Sequence, residues 1–424
     1  MKSTTSKNSV DFFTDRFGRG ELIVLESQLP GHPSSGKSFL AAKPVSSVCA
    51  YGKKIIIREN GTKKVFTMDP WEALKNYQSD KKNWLFGYLG YDLKNYLEKM
   101  NSVNPALVNT PDFYFMEPSV LVQFEDGKAE TILGDVPPDS ENEPKPAAGT
   151  LKNIRPGIEK EEYIRNIKKI KERIKEGDFY ELNYTFPLVG EYQGDPYWLY
   201  SKMRDINPVP FGGFLRHDSF SVCCASPERF LKKSGRRIVS EPIKGTSARS
   251  ERPDDDRYFR DLLMNEKNRA ENLMIVDLVR HDLSKVATPG SVTVPKLYDV
   301  QSFGTVHQLI STVEARASKG VDSVDIIRAC FPMGSMTGAP KIKVMETIDE
   351  LENYKRGIYS GAIGYFKPNG DFDFNVVIRS AIIQGEKLVY PVGGAITSDS
   401  DPEEEWEETE IKSRNITGVF QNHQ

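Results

Sequence analysis

Cysteine is scarce: four occur in 424 residues, at positions 49, 223, 224 and 330. They form no CxxC pair, and the adjacent two do not make a disulfide framework, so a reducing compartment, the cytoplasm, is expected. The five histidines are scattered, without HExxH or Cys/His zinc spacing. No apolar run approaches the length needed to span a membrane, and mean hydropathy is −0.49. The first residues, MKSTTSKNSVDFF, lack the apolar core of a secretion signal. Basic and acidic residues nearly balance, 57 against 60. The basic excess expected of a nucleic-acid binder is missing. There is no internal repeat. These absences leave a soluble globular chain, long enough for one large domain or two ordinary ones.

What is present has a clear texture. LIVLES (22–27), KKIIIRE (53–59) and SVLVQF (119–124) are strand-like. DVPPDSENEPKPAAGT (135–150) holds four prolines and no aromatic residue, which predicts an exposed linker or long loop over 135–157. It separates an N-terminal part (1–134) from a larger part (158–424). Over 158–176, Tyr163, Ile167, Ile170 and Ile174 share one face, an amphipathic helix ending at Gly177. Helical patterns recur near 255–280, 322–330, 339–353 and 402–416. GIYSGAIGYF, DFDFNVVIRSAII and KLVYPVGGAI read as strands, joined through KPNGD and QGEK into an antiparallel meander. Strands and helices without a regular βαβ period imply an α+β fold.

GHPSSGKS (31–38) matches the phosphate-loop pattern letter for letter. That mechanism needs a helix to open after the lysine. SFLAAKP follows instead, and Pro44 would end a helix after about one turn. A nucleotide site is not expected. SEPIKGTSARS (240–250) places Lys244 between a Pro-Ile pair and a Gly-Thr pair, after a strand-like run over 237–241. Taken alone, this is a solvated turn lysine.

The carboxylates are more informative. In TSDSDPEEEWEETEIKSRN (397–415), Asp401 is placed to cap a helix and Pro402 suits its first position. Glu405, Glu408 and Lys412 then share one helical face. On its own this is a solvated acidic helix start, favoured by the dipole. EKNRAENLMIVDLVRHDL (266–283) is an apolar helix that still carries Glu271. A carboxylate beside an apolar face needs a partner. Two helices each presenting Glu could clamp one Mg²⁺ and leave room for an anionic substrate.

These motifs carry a resemblance. GDFYELNYT (177–185), NPVPFGGFL (207–215), ASPERF (225–230), PIKGTSAR (242–249), ENLMIVDLVRHDL (271–283), FGTVHQLISTV (303–313), FPMGSMTGAPK (331–341), VVIRSA (376–381) and VGGAITSDSDPEEEWEET (392–409) occur in one order. Together they resemble the chorismate-utilising enzymes: the first components of anthranilate and aminodeoxychorismate synthases, isochorismate synthase and salicylate synthase. LIVLES and LFGYLGYD (85–92) extend the likeness, more loosely, toward the N-terminus. The resemblance implies two large, packed, antiparallel-rich β-sheets with outer helices and the active site between them. It implies Mg²⁺ held directly by Glu271 and Glu408 and through water by Glu405. Arg379 and Tyr359 would bind the enolpyruvyl carboxylate of chorismate. Gly393 and Gly394 would offer backbone amides, and Lys412 would add charge near the ring carboxylate. Thr246, His307 and Ser335 would also contact substrate. Glu228 would be the general acid that protonates the departing C4 hydroxyl.

Two positions discriminate within that resemblance. Lys244 stands where the aminodeoxychorismate branch carries a lysine and the anthranilate branch an alanine. It implies covalent catalysis, which requires a neutral amine and therefore a lowered pKa. Glu181, in FYELN, stands where amine-adding members usually carry glutamine and water-adding members lysine. Hydroxylation is thus not implied. Glu181 is either a proton acceptor for Lys244 or ammonium, or a simple hydrogen-bond acceptor. No glutaminase signature occurs in the chain, which implies a separate glutamine amidotransferase subunit as ammonia source. LIVLES resembles a segment of a tryptophan pocket in some relatives, and strong tryptophan inhibition is not expected. The alternatives to an aminodeoxychorismate synthase are an anthranilate synthase component and a non-catalytic regulatory chorismate-binding subunit.

Overall fold

The computed structural model describes residues 9–29, 36–98, 100–138, 148–303 and 306–421. Its named strands pair antiparallel throughout and form one hydrogen-bonded network. The branch point is the long strand Ser38–Tyr51. Its first half pairs with Leu22–Glu26 and its second with Lys54–Glu59, while Phe113–Glu125 runs along its other edge.

Two sheets leave this branch point. The first continues from Leu22–Glu26 through Phe211–His217, Phe220–Ser226, Ser380–Gln384 and Lys387–Ile396 to Glu181–Gln193. The second runs from Phe113–Glu125 through Leu85–Leu89, Ala362–Phe366, Phe372–Asn375, Arg229–Ser234 and Arg237–Glu241 to Val306–Arg316. This is the expected two-sheet α+β arrangement, with the sheets joined at one edge.

Side-chain alternation explains the unbroken apolar runs of the first sheet. Ile23, Leu215 and Ile382 enter a core shared with Phe86, Phe374 and Ile238 of the second sheet. Their neighbours Leu22, Phe214 and Ile383 point the other way. There they pack against Tyr163, Ile167 and Ile170 of the helix Lys160–Glu176 and Trp406 and Ile416 of the helix Pro402–Gln421. Both faces are buried, so both positions of the period-2 pattern are apolar. Each such side chain contributes about 1.5–3 kcal/mol on burial. Each core draws residues from before and after the Pro-rich stretch.

Several expectations need correction. The helical pattern near 255–280 is two helices, Pro253–Leu262 and Glu266–Ser284. Asn265 starts the second, its side chain accepting from Asn268 N–H at 2.7 Å. The linker is shorter than 135–157, because Thr150–Pro156 is a strand paired with Glu181–Gln193; 139–147 lie outside the described residues. After the phosphate-loop look-alike the chain is strand, and Lys37 pairs with Glu125 at 3.2 Å; 31–35 lie outside the described residues. Among the described residues no helix is long and apolar enough to cross a membrane. The run DFDFNVVIRSAII is not one strand. It breaks between Asn375 and Ser380, and its halves belong to different sheets.

Candidate active site

That break is one of two crossings between the sheets, and they lie side by side. The chain leaves the first sheet at Ser226 and joins the second at Arg229; it returns between Asn375 and Ser380. Val376 N–H donates to the Glu228 carbonyl at 3.0 Å, and Ala225 N–H donates to the Arg379 carbonyl at 3.1 Å. Glu228 and Arg379 are thereby presented at one junction. A third segment is tied in: Ser360 N–H donates to Val377 O at 2.9 Å and Val377 N–H to Gly361 O at 2.8 Å, which fixes buried Tyr359 beside the crossing.

The electrostatics of the junction suit proton donation and anion binding. Glu228 is buried, and burial raises its carboxyl to about 7 against the opposing effects of the Ser335 hydroxyl and the charges of Lys244 and Arg379. Arg379 adopts φ +51°, a region that costs a side-chain-bearing residue energy and survives only where the surroundings enforce it. Among the described residues, no carboxylate lies within ion-pair distance of its guanidinium. Burial lowers its pKa, which the Glu228 charge opposes. A fork of donors unmatched by protein anions suits an incoming carboxylate.

Lys244 is not a solvated turn residue; it is only 9% exposed. Arg237–Glu241 and Ile243–Ala248 both pair with Val306–Arg316, with Pro242 between them. The register shifts between Ile243 and Thr246, and Gly245 takes φ +83°. This bulge turns Lys244 inward. Its Nζ lies 2.7 Å from Glu181 Oε1 and 3.9 Å from Glu271 Oε2. Burial alone would lower the lysine pKa, but Glu181 and Glu271 outweigh it and the pKa is raised. The expectation of a lowered pKa is therefore not met by the protein groups alone.

Glu181 opens the strand Glu181–Gln193 and is completely buried. Gly338–Ala339 pairs against it, and a Cβ at Gly338 would stand 2.0 Å from Glu181 O. Gly338, at φ +141°, is the residue that permits this approach.

The helices form the other wall. Asp401 caps Pro402–Gln421 as expected, accepting from Glu403 N–H at 2.9 Å. Gly393 and Gly394 lie opposite Thr185 and Tyr184. A Cβ at Gly394 would meet Glu405 Oε2 at 3.0 Å, Lys412 Nζ at 3.7 Å and Glu408 Oε1 at 4.0 Å. Lys412 bonds Glu408 at 2.5 Å and donates to Gly393 O at 2.7 Å. Burial raises the Glu271 carboxyl, with Glu181 and Glu405 adding to the effect and Lys244 opposing it. Burial also raises Glu405, helped by Glu408, while the Ser400 hydroxyl opposes. At Glu408 burial acts upward too, but Lys412 prevails and the pKa is lowered. The three glutamates thus share one field without closing on one point: among the described residues no three such groups converge tightly enough to hold a metal.

Two further expected contact residues have these surroundings. His307 is buried with both ring nitrogens engaged, Nε2 2.9 Å from Asp256 and Nδ1 2.7 Å from Ser302 Oγ. Thr246 is exposed. Conversely, Lys267 was missed. It stands four residues before Glu271 and acts electrostatically on Glu271, Glu405 and Glu408 alike. Its i, i+4 spacing to Glu271 was the available signal. In the LIVLES segment, Glu26 is taken up by Tyr200 OH at 2.8 Å and Arg204 at 3.2 Å.

Known proteins share the sequence pattern and the fold of this chain. A family model described as chorismate binding enzyme matches residues 22–418. The chain is 39% identical over 363 residues to the chloroplastic aminodeoxychorismate synthase of Arabidopsis thaliana, covering 77% of this chain and 39% of that protein. It thus spans about two fifths of that plant relative. Aminodeoxychorismate synthase component 1 of Klebsiella aerogenes is 33% identical, covering 93% of this chain and 92% of that one. The crystal structure of anthranilate synthase component I from Streptococcus pneumoniae superposes with a TM-score of 0.78 at 26% identity, covering 92% of this chain and 94% of that one. The chain belongs to the chorismate binding enzyme family.

Proposed function

We propose that this protein is the first component of an aminodeoxychorismate synthase. It would convert chorismate and ammonia to 4-amino-4-deoxychorismate, on the route to p-aminobenzoate and folate. The observation that carries this reading is the buried amine of Lys244, held 2.7 Å from Glu181 and within the field of Glu228. A nucleophile and a raised-pKa acid in one pocket suit a two-step displacement.

The amine of Lys244 attacks ring C2, the double bonds shift, and the C4 hydroxyl leaves as water with the Glu228 proton. Ammonia then adds at C4 while the C2–N bond breaks and the lysine is released. Hydroxide is a poor leaving group, so the acid is essential. Arg379, beside Tyr359, grips the enolpyruvyl carboxylate, while Lys412 and the Gly393–Gly394 backbone face the ring carboxylate. Mg²⁺ on Glu271 and Glu408, with Glu405 through water, would hold that carboxylate and offset the acidic charge; the shared field of the three glutamates fits a divalent cation. Because Glu181 and Glu271 favour the ammonium form of Lys244, the neutral amine arises only once their charge is engaged.

A glutamine amidotransferase subunit supplies ammonia in this reading. The four cysteines are free, in keeping with a reducing compartment such as the cytoplasm. The likeness to anthranilate synthase component I supports a second reading with the same substrate. Mass spectrometry of products from chorismate, Mg²⁺ and ammonium salt separates them: 4-amino-4-deoxychorismate keeps the enolpyruvyl group and anthranilate loses it. Anthranilate as the main product would overturn the proposal, and no turnover would favour a non-catalytic subunit.

A further inference from the structure

Arg356 engages all five of its N–H donors inside the protein and is only 4% exposed. Two of them meet the Glu352 carboxylate, Nε at 2.9 Å and Nη2 at 2.5 Å, which balances the charge. The other three have no part in that ion pair. They reach the Met336 carbonyl at 2.7 Å, the Asn183 carbonyl at 2.8 Å and Ser360 Oγ at 3.2 Å. The Tyr91 ring covers the guanidinium, its centroid 4.7 Å away. Each of the three acceptors lies beside a residue of the candidate site. Met336 follows Ser335, whose hydroxyl bonds Glu228. Asn183 is two residues beyond Glu181, and Ser360 follows Tyr359. Glu352 strengthens the tie to the Glu181 strand, accepting from Thr185 N–H at 2.9 Å and from its hydroxyl at 2.8 Å.

We propose that Arg356 is a positioning residue for this site: its planar fork clamps the segments that carry Ser335, Glu181 and Tyr359 at one spacing. The proposal rests on the function given above for the roles of those residues. Met336, Asn183 and Ser360 are all buried. A lost donor would leave a buried acceptor without a partner, so the segment would have to shift or admit water. An ammonium cannot replace the fork, because it offers three donors from one point and the acceptors surround a plane. The Ser335 segment is held twice, since Asn183 Nδ2 also donates to the Ser335 carbonyl at 3.2 Å. The route from Arg356 to the proton donor is therefore short: the Met336 carbonyl, the Ser335 hydroxyl, then Glu228. Besides that hydroxyl, Lys244 and Arg379 are the groups that act on Glu228. A change at Arg356 reaches Glu228 through Ser335.

Arg356→Lys keeps the charge beside Glu352 but at most three of the five bonds. The Glu228 carboxyl is titrated in the free protein by infrared difference spectroscopy, with Glu228→Gln as the blank. The Ser335 hydroxyl lowers the Glu228 pKa, so loosening it should raise the midpoint above the native value of about 7. The expected rise is roughly half to one pH unit, the effect of one weakened hydrogen bond. The alkaline limb of kcat should move with it, and chorismate KM should rise a few-fold as Tyr359 loosens. Ser335→Ala should move the midpoint the same way, and an unmoved midpoint there would count against the route. A role in stability alone lowers the melting temperature and leaves the midpoint and KM of Arg356→Lys unchanged; that result would overturn the proposal. If melting shows Arg356→Lys unfolded, Ser360→Gly removes one acceptor and suits the φ of +61° at that position. It is read by chorismate KM, where a few-fold rise supports the clamp and an unchanged value overturns it. The titration needs no turnover, so failure of the native chain to aminate chorismate would overturn the proposed function while the Glu228 midpoint still decides the clamp.

Discussion

The sheet crossings and the helical rim both carry charged side chains that act on Lys244, but they hold them differently. At the crossings, Glu228 and Arg379 sit on backbone that is bonded to its neighbour on both sides. Their positions are settled by strand pairing, so burial acts on a fixed geometry and raises Glu228 to about 7. At the rim, Glu271, Glu405 and Glu408 hang from two separate helices. They repel one another and lean on Lys244, Ser400 and Lys412. On the proposed reading, the crossings supply an acid and an anion site that need no further group. The rim is a charge imbalance that a cation would complete.

The largest effect should come from the rim. Glu271→Gln or Glu408→Gln is expected to abolish turnover at limiting Mg²⁺ while circular dichroism and melting stay native, since neither carboxylate is in the core. Normal activity in either variant at limiting Mg²⁺ would break the division drawn here.

Lys244→Ala comes next, with kcat falling on the order of a thousandfold or more, as expected when a covalent nucleophile is lost. Lys412→Ala should act mainly on chorismate KM. Lys244→Arg keeps the charge but cannot attack. Near-native turnover in Lys244→Arg would reduce Lys244 to part of the charge balance.

Glu228→Gln should lower kcat by about a hundredfold or more, the usual range for a positioned acid. The sign of the pH effect follows from the raised pKa. The proton-donating form is present below about 7 and is lost above it, so native kcat should fall on the alkaline side with a midpoint near that value. The Gln variant should lack that limb; a limb that persists assigns it to another group.

Gly394→Ala should be the mildest. Its Cβ would stand 3.0 Å from Glu405 Oε2, so chorismate KM should rise a few-fold, about one kcal/mol or less, with the flexible carboxylate giving way. A loss as large as that of Glu271→Gln would mean the rim is as rigid as the crossings.

Much of this was legible in the chain. The helix over 160–176 and its Gly177 stop, the Asp401 cap and the hairpin through KPNGD follow from local pattern. So does the strand preceding Lys244, predicted at 237–241 and found there. The failures share a cause. DFDFNVVIRSAII reads as one strand because both halves are apolar, yet each half pairs with a different sheet. The strand at 150–156 was hidden by its polar composition, which suits an edge. Lys244 reads as a solvated turn because Pro242 and Gly245 flank it, and nothing nearby reveals the bulge that turns it inward.

By itself the sequence determined most of the strands, helices, caps and turns, and which residue types could carry chemistry. These depend on period, φ preference and hydrogen bonds reaching a few residues. Only the tertiary structure decided which of those residues meet. Lys244 and Glu181 are 63 positions apart, and Glu228 and Arg379 meet because two sheet crossings happen to be neighbours. Whether a lysine is a surface charge or a buried amine depends on its surroundings, through desolvation and the charges that oppose it. Those surroundings are assembled by strand pairing over distances that no local pattern encodes.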